Sequence, residues 1–141
     1  MQEVIRFTIP GPPVGKGRPR FVRATGRTYT PEKTRNFENL VRLAYRQQVC
    51  QPPFPSGMPL YIDVVIWQQV PKSVSKKKRE DMLHKRLLPT KKPDCSNVLK
   101  AIEDGLNGVA YADDSQIVKV SVVKYYSEYP QTVVSISEAR G

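Results

Sequence analysis

Apolar and polar positions alternate along residues 4–9 (VIRFTI), and the β-branched content predicts a strand there. Residues 10–21 (PGPPVGKGRPRF) break that regularity. Pro and Gly suit neither a helix interior nor a central strand, so this stretch reads as a stiff, basic loop. A helix start follows: Thr30 as N-cap, Pro31 at the first helical position and Glu32 complementing the dipole. Phe37, Leu40, Val41, Ala44 and Tyr45 then recur at helical spacing through about Val49. A turn-rich connection (51–59, QPPFPSGMP) leads to a strongly β-prone run at 61–70 (YIDVVIWQQV).

The second half of the pattern predicts a short helix around residues 75–87 and another from Ser96 to Leu106 or Asn107. The latter is closed by Gly108 and carries a buried stripe of Val98, Leu99, Ile102 and Leu106. Asn97, Lys100 and Asp104 share another face of that helix at i, i+3 and i+7. Residues 117–126 (IVKVSVVKYY) and 132–138 (TVVSISE), separated by a short polar link, predict an antiparallel hairpin. The order β, α, β, α, α, β, β gives an α+β class over residues 1–141 as a single domain, with helices packed on a mixed or antiparallel sheet.

Charge changes this picture from fold to partner. The 141 residues carry 23 Lys+Arg against 13 Asp+Glu, a net charge of +10. The excess is segregated: residues 16–27 hold Lys16, Arg18, Arg20, Arg23 and Arg27 with no acid, and residues 71–92 hold nine basic residues against two acids. Such patches suit a phosphate backbone, whose neutralisation releases counterions. Lys16, Arg18, Arg20, Arg23, Lys76, Lys77, Lys78 and Arg79 are the expected phosphate contacts. No apolar run approaches the roughly 20 residues of a membrane span, and no basic amphipathic helix points to a membrane surface. The N-terminus lacks the layout of a secretory leader. Cys50 and Cys95 form neither a CxxC nor a disulfide framework, as expected in a reducing cytoplasm.

Most familiar chemistries fail on spacing. GPPVGKGR is one residue short of a phosphate-binding G-x-x-x-x-G-K-[ST] loop, and Gly17 stands where the metal-binding hydroxyl belongs. The one histidine, His84, sits in a Lys/Arg-rich segment and reads as solvated; no nucleophile elbow surrounds Ser96 or Ser115. The two cysteines provide no zinc set.

Acids, in contrast, gather around one helix. Asp94 precedes it and Asp113–Asp114 precede the next strand. Asp94 and Asp114 converge if that strand lies beside the one at residues 61–67. Carboxylates so placed suit Mg²⁺, a hard ion that accepts oxygen ligands and retains water. Such an ion polarises a phosphodiester and generates a hydroxide nucleophile, and Lys100 adds charge stabilisation at the phosphoryl oxygens. Each fragment also has an ordinary reading. Asp94 or Ser96 can cap the helix, Asp113–Asp114 can be an acidic turn, and Lys100–Asp104 can be a surface i, i+4 pair. Jointly, in a basic chain, metal plus phosphate is the better account, because acids repel DNA unless a cation bridges them.

The stretch KPDCSNVLKAIEDGLNGVAYADDSQI (92–117) resembles the signature of RusA-type Holliday junction resolvases, crossover junction endodeoxyribonucleases common on phages and prophages. GPPVGKGRPRF and TYTPEKTRNFE are similar to that family as well. The resemblance implies an α+β homodimer in the cytoplasm, associated with the nucleoid. It also implies Mg²⁺-dependent hydrolysis, with Mn²⁺ as a substitute, and paired nicks in four-way or branched DNA. By position, Asp94 and Asp114 match metal ligands and Lys100 the essential lysine. Asp113 matches a further acid able to join the metal, while Asp104 and Asn97 match supporting positions. Ser96 departs from the family pattern, which has a second Asp there; its hydroxyl can bind a metal weakly or through water. Three readings stay open: a variant that retains the metal with help from Asp113 or Asn97, a weakened enzyme, or a branched-DNA-binding protein without catalysis. An RNA-binding role would account for the basic patches but not for the acids.

Overall fold

In the computed structural model, which describes residues 3–17, 20–29 and 31–141, the chain begins with β1 (Val4–Pro10) and a small β2–β3 hairpin (Arg20–Val22 with Arg27–Tyr29). It continues through α1 (Glu32–Gln48), β4 (Leu60–Gln69), α2 (Lys76–Leu83) and α3 (Cys95–Leu106). A single 3₁₀ turn (Asp114–Gln116) then opens into β5 (Ile117–Ser127), and β6 (Gln131–Glu138) completes the fold. The main sheet has the order β1-β6-β4-β5. β6 runs antiparallel to both β1 and β4, and β5 runs parallel to β4.

Period-two burial decides which face of the sheet is covered. Along β4, Leu60, Ile62, Val64 and Ile66 are fully buried while the residues between them stay half-exposed. Their cross-strand partners on β6, Val134 and Ile136, pair in turn with Phe7 and Ile5 of β1, so one apolar stripe crosses three strands. Phe37, Val41, Ala44 and Tyr45 of α1 and Val98, Ala101, Ile102 and Leu106 of α3 join the same core cluster. Phe7 meets Tyr45 edge-on at 5.6 Å. Burying side chains of this size stabilises by about 1.5–3 kcal/mol each, which makes this contiguous cluster the main source of stability.

The α+β class and the mixed sheet agree with the expectation from sequence; the hairpin of the last two strands does not. β5 and β6 lie on opposite edges of β4 and do not pair with each other. The four Cα steps from Ser127 to Gln131 reach about 13 Å when extended, enough to arch over one intervening strand at twice the ~4.8 Å inter-strand spacing. β4, apolar at every second position, takes the centre.

Smaller differences are local. The Thr30 cap lies outside the described residues, and Pro31, with ψ of 144°, occupies the cap position rather than the first helical one. The C-terminal end of the expected 10–21 loop is strand β2. The buried stripe of α3 includes Ala101 and Gly105, whereas Leu99 is only partly covered. Small residues are needed there because α1 and α3 nearly touch. A Cβ on Gly105 would lie 3.1 Å from the Glu38 carbonyl oxygen and 3.2 Å from the Val41 Cβ. This approach brings Glu38 of α1 up to the polar face of α3.

Candidate active site

Two segments are pinned around α3. Before the helix, the Lys124 ammonium of β5 donates to the carbonyls of Lys91 (2.9 Å) and Pro93 (3.1 Å). Across it, the loop of residues 11–17 is clamped at both sides: Lys16 N–H donates to the Asn97 carbonyl at 2.9 Å, and Gly17 N–H donates to the Thr34 hydroxyl at 3.0 Å. Gly15 has to be small there, since a Cβ would sit 3.2 Å from both Pro93 and Asn97. The expected basic loop therefore lies over the start of α3, and Lys16 enters the groove between α1 and α3.

At the other end of α3 the chain turns at Gly108 (φ +76°) and is locked by two side chains. Tyr111, 1% exposed, donates to the Glu103 carbonyl at 2.9 Å. Gln116 accepts from the N–H groups of Ala112 and Asp113 and donates to the carbonyls of Pro55 and Met58, tying the turn to the segment before β4. Asp113 closes a capping box with Gln116, accepting from the Ser115 N–H and hydroxyl, and these bonds lower its carboxyl pKa. The neighbouring Asp114 has no part in that cap and faces Lys100 instead.

A chain of alternating charges results. The Lys16 ammonium lies 2.8 Å from Glu38 Oε2 and 3.0 Å from Asp104 Oδ2. The Lys100 ammonium lies 3.3 Å from Asp104 Oδ1 and 3.6 Å from Asp114 Oδ2. Asp104 thus divides its two oxygens between two lysines. Its hydrogen bond and charge raise the Lys100 pKa, with smaller help from Asp114 and Glu103. Burial would lower the Lys16 pKa, but Glu38 and Asp104 outweigh it and the net shift is upward. Glu103 is pushed up by burial, relieved in part by Lys100.

Asp94 occupies the N-cap position of α3, yet its side chain makes no capping hydrogen bond; its carboxylate accepts from the Asn97 amide at 3.5 Å. Ser96, within the first turn, is exposed. Of the ordinary readings, Asp94 holds the N-cap position of α3 without a side-chain capping bond, Asp113 lies in an acidic turn that it caps, and the Lys100–Asp104 pair is one contact within a longer network. Among the described residues, no group of three or more His, Cys, Asp or Glu is arranged to hold a metal ion. The donors that Asp94, Asp114, Ser96 and Asn97 offer are oxygens. That set suits a hard divalent ion using one or two carboxylates and keeping several waters.

The expected phosphate contacts separate by environment. Lys76, Lys77 and Lys78 are exposed on the first turn of α2, and Arg23 is exposed at the β2–β3 turn. Arg79 is held 3.4 Å from Glu128. Arg18 lies outside the described residues, and Arg20 is the first residue of β2. Lys16 is engaged by carboxylates rather than presented on the basic surface. Glu38, at the end of TYTPEKTRNFE, and Gln116, within the 92–117 stretch, are given no role by the motif reading. Glu38 could have been found as the one acid at i+4 and i−3 of the buried Thr34 and Val41. Gln116 could have been found from the D-x-x-Q capping spacing after Asp113.

Comparison with known proteins adds two findings. Residues 10–137 match the family described as Endodeoxyribonuclease RusA. The chain is also 40% identical over 140 residues to YqaN of Bacillus subtilis (strain 168), a protein described as uncharacterized; the match covers 96% of this chain and 97% of that one.

Proposed function

Since this chain belongs to the RusA endodeoxyribonuclease family, we propose that it is a metal-dependent, structure-selective endonuclease that resolves four-way or branched DNA by paired phosphodiester hydrolysis. The observation carrying this reading is the Lys100 ammonium, held 3.6 Å from Asp114 on the helix that Asp94 begins. Asp94 and Asp114 would hold Mg²⁺ or Mn²⁺, with Ser96 contributing weakly or through a water. The bound ion would polarise the phosphodiester and lower the pKa of water. Lys100, more than half exposed, is available to a phosphoryl oxygen and would stabilise the charge that develops there. Asn97 orients the Asp94 carboxylate, and Asp113 maintains the turn that presents Asp114. Arg23 and Lys76–Lys78 would bind phosphates away from the cut. Two equivalent cuts call for two equivalent sites, which a two-fold homodimer supplies.

Ser96 supports a second reading, a branched-DNA-binding protein with an impaired metal site, because a hydroxyl stands where the family pattern has a second Asp, and among the described residues no group of three or more His, Cys, Asp or Glu is arranged to hold a metal. A labelled four-way junction incubated with the purified protein, with and without Mg²⁺ or Mn²⁺, separates the two. Symmetrical nicks that depend on the metal support the nuclease. Retarded but uncut junction with every divalent ion supports the binding protein.

A further inference from the structure

From the ion-pair geometry we infer that Lys16 is a positioning residue that braces Asp104 and thereby sets the Lys100 ammonium for catalysis, rather than a phosphate contact. The inference rests on the nuclease reading of the site. Three observations carry it. First, Lys16 is committed at both ends: its N–H to the Asn97 carbonyl, and its ammonium to two carboxylates at 2.8 and 3.0 Å. Second, side-chain exposure rises from 11% at Glu38 through 22% and 23% at Lys16 and Asp104 to 52% at Lys100, the most open member, before Asp114 at 28%. The buried end is an anchor and the open end faces substrate. Third, Asp104 gives Lys16 one oxygen and Lys100 the other.

The consequence is electrostatic. With Lys16 present, Asp104 orients Lys100 without being its undivided counter-ion, so the ammonium keeps attraction for an incoming phosphate. Without Lys16, Glu38 and Asp104 both lose their partner, Asp104 draws on Lys100 alone, and the local field turns more negative where a phosphodiester must enter. A partly buried pair is screened less than a surface pair, so the loss is felt at the site. The Glu38 anchor depends on the close α1–α3 contact at Gly105, which links helix packing to the reacting group.

Lys16→Met and Lys16→Arg would be compared with the unmodified protein in two assays. One is single-turnover cleavage of a four-way junction at saturating protein with Mg²⁺. The other is junction affinity in EDTA across a salt series. The brace predicts at least a tenfold slower cleavage for Lys16→Met, recovery of most of the rate in Lys16→Arg, and an unchanged salt slope. A phosphate contact predicts the opposite: weaker binding, a slope flatter by about 0.9, and an unaltered rate at saturation. That outcome, or an unaltered rate and slope together, overturns the proposal. Should Lys16→Met fail to fold because Glu38 is left unpaired, the Lys16→Met/Glu38→Gln double variant replaces it under the same criteria. An unmodified protein that binds junctions and cuts none refutes the nuclease reading instead. The salt slope then decides Lys16 alone: a flatter slope refutes the brace, and an unchanged one supports its internal role.

Discussion

The Lys100 ammonium on α3 stands 3.6 Å from the Asp114 carboxylate, at the far end of the turn that joins this helix to β5. The two lie fourteen positions apart in sequence. They meet because Tyr111 and Gln116 lock the intervening turn from both sides.

If Lys100 stabilises charge in the transition state, Lys100→Met should slow single-turnover cleavage by about 100- to 1,000-fold. Junction affinity should fall far less, by no more than the loss of one phosphate contact among many. Rates from a rapid-quench series and affinities from gel retardation in EDTA check this. Equal losses of affinity and rate would make Lys100 a binding residue.

Ser96→Asp puts a carboxylate where the family pattern has one, two residues after Asp94. The variant should reach half-maximal cleavage at a lower Mg²⁺ concentration and bind Mg²⁺ more tightly by calorimetry. Identical metal dependence in both proteins would show that another ligand already compensates for the serine.

Gly105→Ala tests how helix packing supports the site. The new methyl would meet the Glu38 carbonyl at 3.1 Å and Val41 at 3.2 Å, so α1 and α3 must separate. A loss of about 1–3 kcal/mol in urea unfolding is expected from overpacking of this kind. Cleavage should fall as well, since Glu38 moves away from Lys16. Unchanged stability would mean that the helices have room to adjust.

Alkaline pH should weaken the fold. Burial, reinforced by Glu103, Asp114, Asp104 and Asp113, raises the Tyr111 pKa well above its ordinary value of 10.0. The folded chain then keeps a proton that the unfolded chain releases, so stability is complete below pH 10 and falls above it. Lys16 and Lys100 act in the same direction. Their raised values give a contribution present below 10.5 and lost as pH rises through the folded-state pKa values. Tyr111→Phe removes one of these groups, so its unfolding free energy should fall less steeply above pH 10, by up to about 1.4 kcal/mol per pH unit. An equal or steeper slope in the variant would contradict the assignment.

How much of this could be read from the sequence depended on the range of each interaction. The alternation in β4 and the helical stripe of α3 are local, and both elements fall where the pattern puts them. The Lys100–Asp104 pair, one helical turn apart, was legible for the same reason. The placement of β6 was not. A short polar link between two strands describes a hairpin as well as an arch over β4, and competition for the edges of β4 decides between them. The ion pairs of Lys16 were out of reach for another reason. Its basic neighbours suggest a phosphate contact, while its partners, Glu38 and Asp104, lie 22 and 88 residues away and share no motif with it. Asp113 and Asp114 look equivalent side by side, and only the bonds from Ser115 distinguish the acid that caps the turn from the one turned toward Lys100.

Single-turnover nicking of a four-way junction by Asp94→Asn and Asp114→Asn tests most directly whether Asp94, Lys100 and Asp114 form one phosphodiester-cutting centre. Junction affinity in EDTA and the unfolding midpoint would be measured on the same preparations. Loss of Mg²⁺-dependent nicking in both variants, with affinity and fold retained, is the predicted result. Nicking at the unmodified rate by either variant would contradict the account.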